Sequence, residues 1–239
     1  MGRPSPAARG ETPGRPTPCT VQTVTNGWLD ELEVYCADIG SIAGGKFAWA
    51  RRHAAGDDEE IHAPSSIDAL GRAVIFQLQR DRPVALGVEM PLFIPVPEDF
   101  RLLGKARETD YARPAWSQST GASVMATGLV QLAWLLDQIR RTCPLPTVHL
   151  EWPEFCATRS GILLWEAFVS GPDKDPGKSH EADALIGVEA FCARLPGDPT
   201  DPRVSDVERP LSLAATAALW AGYSLPDQAL RAATVLVRP

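Results

Sequence analysis

EVYCADIGSIAGGKFAWAR, residues 33–51, is the stretch on which the fold turns. Apolar, β-branched and aromatic residues dominate 33–39 and 46–51, and Gly40, Gly44 and Gly45 stand between them. Two such runs around glycines read as the strands of a hairpin. The first strand ends on Asp38, with the glycine turn immediately after it.

The rest of the chain extends this hairpin into an α/β pattern. Residues 56–60 form an acidic loop, and 61–63 are a candidate third strand. Ile67, Leu70, Val74 and Leu78 recur at helical spacing, with Ser65 or Ser66 as the N-cap. Residues 84–88 (VALGV) are short, apolar and bounded by prolines, which suits a strand buried on both faces; Glu89 follows them. Pro91, Pro95, Pro97 and Pro114 break up 91–120, a loop long enough to be functional or mobile. Residues 122–141 carry the strongest helical pattern (Met125, Leu129, Leu132, Leu136, Ile139), with Arg140 and Arg141 suited to its C-terminal dipole. Residues 147–151 alternate as a strand ending on Glu151, and 161–169 (GILLWEAFV) fit either strand or helix. Helices over 179–194 and 211–222 and a strand over 233–237 complete the order. A hairpin followed by strand–helix–strand units predicts a mixed sheet flanked by helices. The pattern is that of a single domain over 26–239.

Composition bounds the function. The 239 residues are 44% hydrophobic and 22% charged, as in ordinary globular proteins. The formal charge of −7 excludes a uniformly basic nucleic-acid binder. No uninterrupted apolar run approaches the roughly 18–20 residues of a membrane span, so no membrane partner is expected. Nothing in the chain specifies an oligomeric state. The five cysteines are odd in number and form no Cys-x-x-Cys pair, which points to a reducing, cytoplasmic setting. Residues 1–25 lack the apolar core of a signal peptide. They are rich in proline, and Arg3, Arg9 and Arg15 face only Glu11, so they read as a disordered tail of charge +2. Without that tail the remainder carries −9.

The chemistry lies in acids at strand ends. Asp38, Glu89 and Glu151 each close a predicted strand; Asp183 sits near the start of a helix beside His180 and Glu181. Ligands of α/β sheets bind outside the carboxyl ends of the strands. Carboxylates gathered there repel one another, and a divalent cation removes that cost. A donor set rich in oxygen suits Mg2+ or Mn2+. Paired ions of this kind activate water and stabilise a leaving phosphate oxygen, the logic of many nucleases. His53, His62, His149 and His180 read individually as surface or packing residues. Lys46, Arg51, Arg52, Arg101, Lys105, Arg107 and Arg113 offer a local basic face for nucleic acid, with Tyr111 and Trp116 available for stacking on bases. Phosphate-loop, dinucleotide and nucleophile-elbow motifs are absent from the sequence.

A family resemblance attaches to the same residues. VYCADIGS (34–41) with the KFAWA strand resembles the first hairpin of the RNase H-like superfamily, and VALGVEMPLF (84–93) resembles its later central strand with its acid. HEADALIGVEAF (180–191) is similar to the closing helix of RuvC-type resolvases, with Asp183 at the place of a metal-binding aspartate. EWPEF (151–155) resembles the Glu-x-Pro-Glu segment of an uncharacterised predicted-nuclease family of that superfamily. The resemblance implies an RNase H-like fold and a metal-dependent phosphodiesterase site made of Asp38, Glu89, Glu151 and Asp183. In one respect the chain departs from it: where the closing helix often carries a second acid, this sequence has His180, with Glu181 adjacent. Two rival expectations stand beside the nuclease. One is a catalytically silent RNase H-like scaffold that binds a partner. The other is a nucleotide-binding relative of the sugar-kinase and actin group, which normally has two such domains.

Overall fold

The computed structural model describes residues 27–56, 61–63, 66–110, 115–169 and 179–239. The expected tail (1–25), the acidic loop from 57 to 60, Ser65, and Tyr111, Arg113 and Pro114 lie outside the described residues. In chain order the elements are β1 (Glu33–Asp38), β2 (Ala48–His53), β3 (Ile61–Ala63), α1 (Ile67–Leu78), β4 (Val84–Val88), β5 (Phe93–Pro95) and α2 (Ser119–Thr142). They continue with β6 (Val148–His149), α3 (Trp152–Thr158), β7 (Ile162–Ala167), α4 (His180–Cys192), β8 (Pro210–Ser212), α5 (Leu213–Trp220) and β9 (Val235–Val237).

The hairpin forms as expected. β1 pairs antiparallel with β2 from Glu33↔His53 to Asp38↔Ala48. Its base depends on Gly40, because a Cβ there would sit 1.9 Å from the Lys46 carbonyl oxygen. β2 starts at Ala48 rather than residue 46 because the Lys46 amide still closes the turn onto Ser41 O at 2.9 Å. β1 then runs parallel to β4, and β4 parallel to β7, placing Ala37, Val88 and Glu166 on one rung. The sheet order is β3-β2-β1-β4-β7-β6, and β9 also pairs with β7. β6 covers the first half of β7's outer edge and β9 the second. The fold is therefore α/β with a mixed sheet flanked by helices.

Side-chain alternation splits the sheet into two apolar faces. Tyr35, Ala37, Leu86, Val88 and Leu164 bury into a core shared with α1, α2 and α5. Val34, Cys36, Ala85, Leu163 and Trp165 bury against α3 and α4. α1 begins where its cap is best: Ser66 Oγ accepts from the Ala69 amide at 3.1 Å. Its buried stripe is the predicted one, Ile67, Leu70, Val74 and Leu78. Among the described helices α2 alone is long and apolar enough to cross a membrane by length and composition. In the fold its Leu132, Leu135, Leu136 and Ile139 are buried in the core shared with α1 and α5.

Two segments differ from the sequence reading. The strand expected over 147–151 stops at His149, because Pro153 opens the seven-residue α3 and Glu151 becomes its N-cap residue. The long loop is not featureless. β5 pairs with β8 from 119 residues downstream (Phe93↔Ser212), and two 3-10 turns follow, at Phe100–Leu102 and Glu108–Asp110.

Candidate metal centre

β1 and β4 end side by side. The Glu89 amide donates to Ala37 O at 2.8 Å, carrying the ladder one rung beyond the Ala37–Val88 pair. Asp38 and Glu89 therefore stand on neighbouring strand tips, and alternation turns both toward the face that α4 covers. α4 arrives from the far end of the sequence. Ser179 caps it by accepting from the Ala182 amide, and His180 and Asp183, three residues apart, share one side of it. Four residues further on, a Cβ at Gly187 would lie 2.6 Å from Cys36 Sγ. The bare glycine lets the helix settle against β1 and carries Asp183 down to 1% exposure.

The product is a cluster of three side chains from opposite ends of the domain. Asp38, His180 and Asp183 each offer a ligand atom, and those atoms all lie within 4.8 Å of one another. His180 Nδ1 is 2.5 Å from Asp38 Oδ2. Asp38 is buried, while the His180 side chain is 41% exposed, so the cluster opens to solvent on the histidine side. Glu89 is buried beside the cluster but is not one of the residues within 4.8 Å. Its charge still reaches the same neighbourhood. Burial pushes the Cys36 thiol well above its ordinary pKa, and Glu89, Asp38 and Asp183 push it further. Glu151 is not brought to this cluster. It is exposed at the start of α3, beyond β6, which is three strands from β1 or about 14 Å across the sheet.

No family model, curated protein or solved structure matches the chain. What the centre can do therefore follows from its donors. Two carboxylates and an imidazole at this separation could hold a divalent cation, which would relieve the repulsion between the two acids. Carboxylate oxygens suit Mg2+ and Mn2+, and the imidazole adds a nitrogen donor.

The cations expected to line a basic face divide into two groups. Lys46 and Lys105 are exposed, and Arg51 and Arg52 are half-buried on β2. Arg101 is exposed and clasped by Asp99 at 2.7 Å. Arg107 instead turns inward, with its side chain fully buried. It contacts Glu166 at 2.7 Å and Asp110 at 2.8 Å, and donates to Phe93 O at 3.0 Å. Burial works against the Arg107 charge, but Glu166 and Asp110 outweigh it and hold the pKa above the ordinary value. Arg107 thus braces the loop and is not presented to a phosphate. Trp116 is half-buried, and its indole nitrogen donates to Lys105 O at 3.0 Å, so it too acts as a strut.

Two residues escaped the sequence reading. His180 looked like an isolated histidine, although its place three residues before Asp183 on a predicted helix was the available signal. Glu166 was the one charge in the apolar run ILLWEA. In the fold it is fully buried and accepts from the Leu92 amide at 2.9 Å, clamping the segment that follows Glu89.

Proposed function

We propose that the chain is an RNase H-like, metal-dependent nuclease that hydrolyses phosphodiesters at the Asp38–His180–Asp183 centre. The observation that carries this reading is the meeting of Asp38 with His180 and Asp183 within 4.8 Å, across 142 residues of chain. Support comes from the order of the parts: a front hairpin joined to parallel strands, acids after β1 and β4, and a closing helix that returns to them. Asp38, Asp183 and His180 would hold the ion. The imidazole in that set favours Mn2+ over Mg2+. When bound, the cation supplies a polarised water and positive charge for a leaving oxygen. Glu89, beside the cluster, is the residue to accept a hydrogen bond from an attacking water. Nucleic acid is the proposed partner, met by the exposed Lys46 in the turn after Asp38 and by Lys105.

Metal titration by calorimetry, paired with cleavage of single- and double-stranded DNA, RNA and branched substrates in Mn2+ and Mg2+, tests this. Asp38→Asn should abolish both metal binding and cleavage while leaving the circular dichroism spectrum unchanged; undiminished cleavage by that variant rejects the assignment. One observation favours the non-catalytic scaffold instead: His180 contacts Asp38 directly, giving that carboxylate a partner without an ion. Failure of both Mn2+ and Mg2+ to bind the intact chain selects that reading.

A further inference from the structure

The loop after β5 carries a surface of which the proposed function uses only Lys105. A cavity of about 290 Å3 is walled by Pro95, Pro97 and Leu102, and its acidic lining is Glu108, Asp206 and Glu208. Lys105 and Arg107 also line it, but the Arg107 charge is taken up by Glu166 and Asp110. Three carboxylates therefore face one available lysine. Nearby, Glu98 is paired with Arg209 at 3.4 Å. The adjoining turn exposes three apolar side chains, Phe100 at 77%, Leu102 at 42% and Leu103 at 61%, and the charge of Arg101 between them is taken up by Asp99. It is also braced. Asp99 accepts from the Arg101 amide at 3.0 Å, Ser117 donates to Gly104 O, and Trp116 donates to Lys105 O. An exposed apolar ridge beside carboxylates, preorganised in this way, suits an extended, proline-rich, cationic ligand.

The chain contains such a ligand. Arg3-Pro4-Ser5-Pro6 and Arg15-Pro16-Thr17-Pro18 repeat one motif, and Arg9 adds a third cation against Glu11 alone. A polyproline II chain advances about 3.1 Å per residue. The 26 residues before Gly27 then reach up to ~80 Å. A domain of this size has a radius of gyration of about 17 Å, so any face lies within reach. Tethering raises the local concentration of the segment to the millimolar range, so a weak contact is enough.

We propose that the N-terminal Arg-Pro-x-Pro segments of this chain dock on its own Phe100–Leu103 ridge, with their arginines against Glu108, Asp206 and Glu208. The prolines lie on the apolar turn, and the charges of ligand and surface are opposite.

Paramagnetic broadening in the full-length, 15N-labelled chain tests the proposal. A nitroxide is placed on Cys19, with Cys156→Ser and Cys192→Ser preventing stray labelling; Cys36 and Cys143 are buried. The expected result is at least a twofold loss of amide signal over 98–108 and 204–208. Arg3→Glu with Arg15→Glu should restore the signal, and adding Asp206→Lys with Glu208→Lys to that reversed tail should bring the loss back. Asp206 and Glu208 are exposed, so their reversal leaves the fold intact. Absence of broadening there, or broadening indifferent to the charge reversals, overturns the proposal. So does equal broadening when the label and the isotope are on different chains, which would seat a second copy at this surface.

Discussion

Arg107→Met removes the fully buried cation that Glu166 and Asp110 share, and leaves Glu166 only the longer-range charge of Arg238. The wild-type contacts are short, at 2.7 and 2.8 Å, and the Arg107 side chain has no solvent exposure. Its charge also lies over the Phe93 ring, 4.8 Å from the centroid. Removing one member of a buried ion pair costs about 3–5 kcal/mol, because the remaining charge loses its compensation and gains no water. Two carboxylates lose their shared partner, while Arg238 still acts on Glu166, so this variant falls within that range. For a chain of this length the loss lowers Tm by about 6–20 °C. Urea unfolding at pH 7, followed by far-UV circular dichroism and tryptophan emission, reads the cost directly. The Arg107→Met/Glu166→Gln/Asp110→Asn variant should recover most of it, because it leaves no charge buried in the cluster. A loss below about 1 kcal/mol, the range of surface pairs, would refute the buried-brace argument. So would a triple variant no more stable than the single one.

Three further outcomes follow from the same packing. Gly187→Ala puts a Cβ 2.6 Å from Cys36 Sγ; overpacking of this kind costs about 1–3 kcal/mol, and Cys36→Ala in the same chain should relieve it. Calorimetry should also show weaker Mn2+ binding in Gly187→Ala, since α4 carries His180 and Asp183. Gln131 Nε2 donates to Gly40 O at 2.7 Å, two residues beyond Asp38, so Gln131→Leu should weaken Mn2+ binding by about tenfold; unchanged affinity removes Gln131 from the support of the site. Burial holds the His149 pKa below its ordinary value of 6.5, so the folded state prefers the neutral ring. The stability this residue contributes is complete above pH 6.5 and is lost as pH falls, and a His149→Gln chain should show a flatter stability profile between pH 7 and 5.

The sequence was most legible where local signals agreed. The glycines between two apolar runs marked the hairpin, Ser66 marked the start of α1, and the prolines around VALGV marked β4. It was least legible where distant residues decided the outcome. β5 and β8 are three-residue strands that exist only by pairing with each other, so neither has a periodicity to read. Arg107 and Glu166 are 59 residues apart, and no spacing rule turns a loop arginine inward. α3 is too short to show a helical period, and the strand expected over 147–151 left no room for its start at Trp152. At the site, Asp38, Glu89 and Asp183 were legible as acids at the ends of elements. His180 was not, because its partner Asp38 lies at the other end of the chain.

The shared rung of Ala37, Val88 and Glu166 has a consequence for how this chain can change. On β4, Val88 belongs to one apolar face, and Glu89, the next residue, turns to the other. Deleting a single residue within β4 would carry Glu89 into the layer beneath α1 and α2 and bring an apolar side chain to the Asp38–His180–Asp183 cluster. The packing of the sheet and the proposed site would fail in the same event. Drift in β1 and β4 is therefore confined to substitution, and changes of length are left to the connections around them.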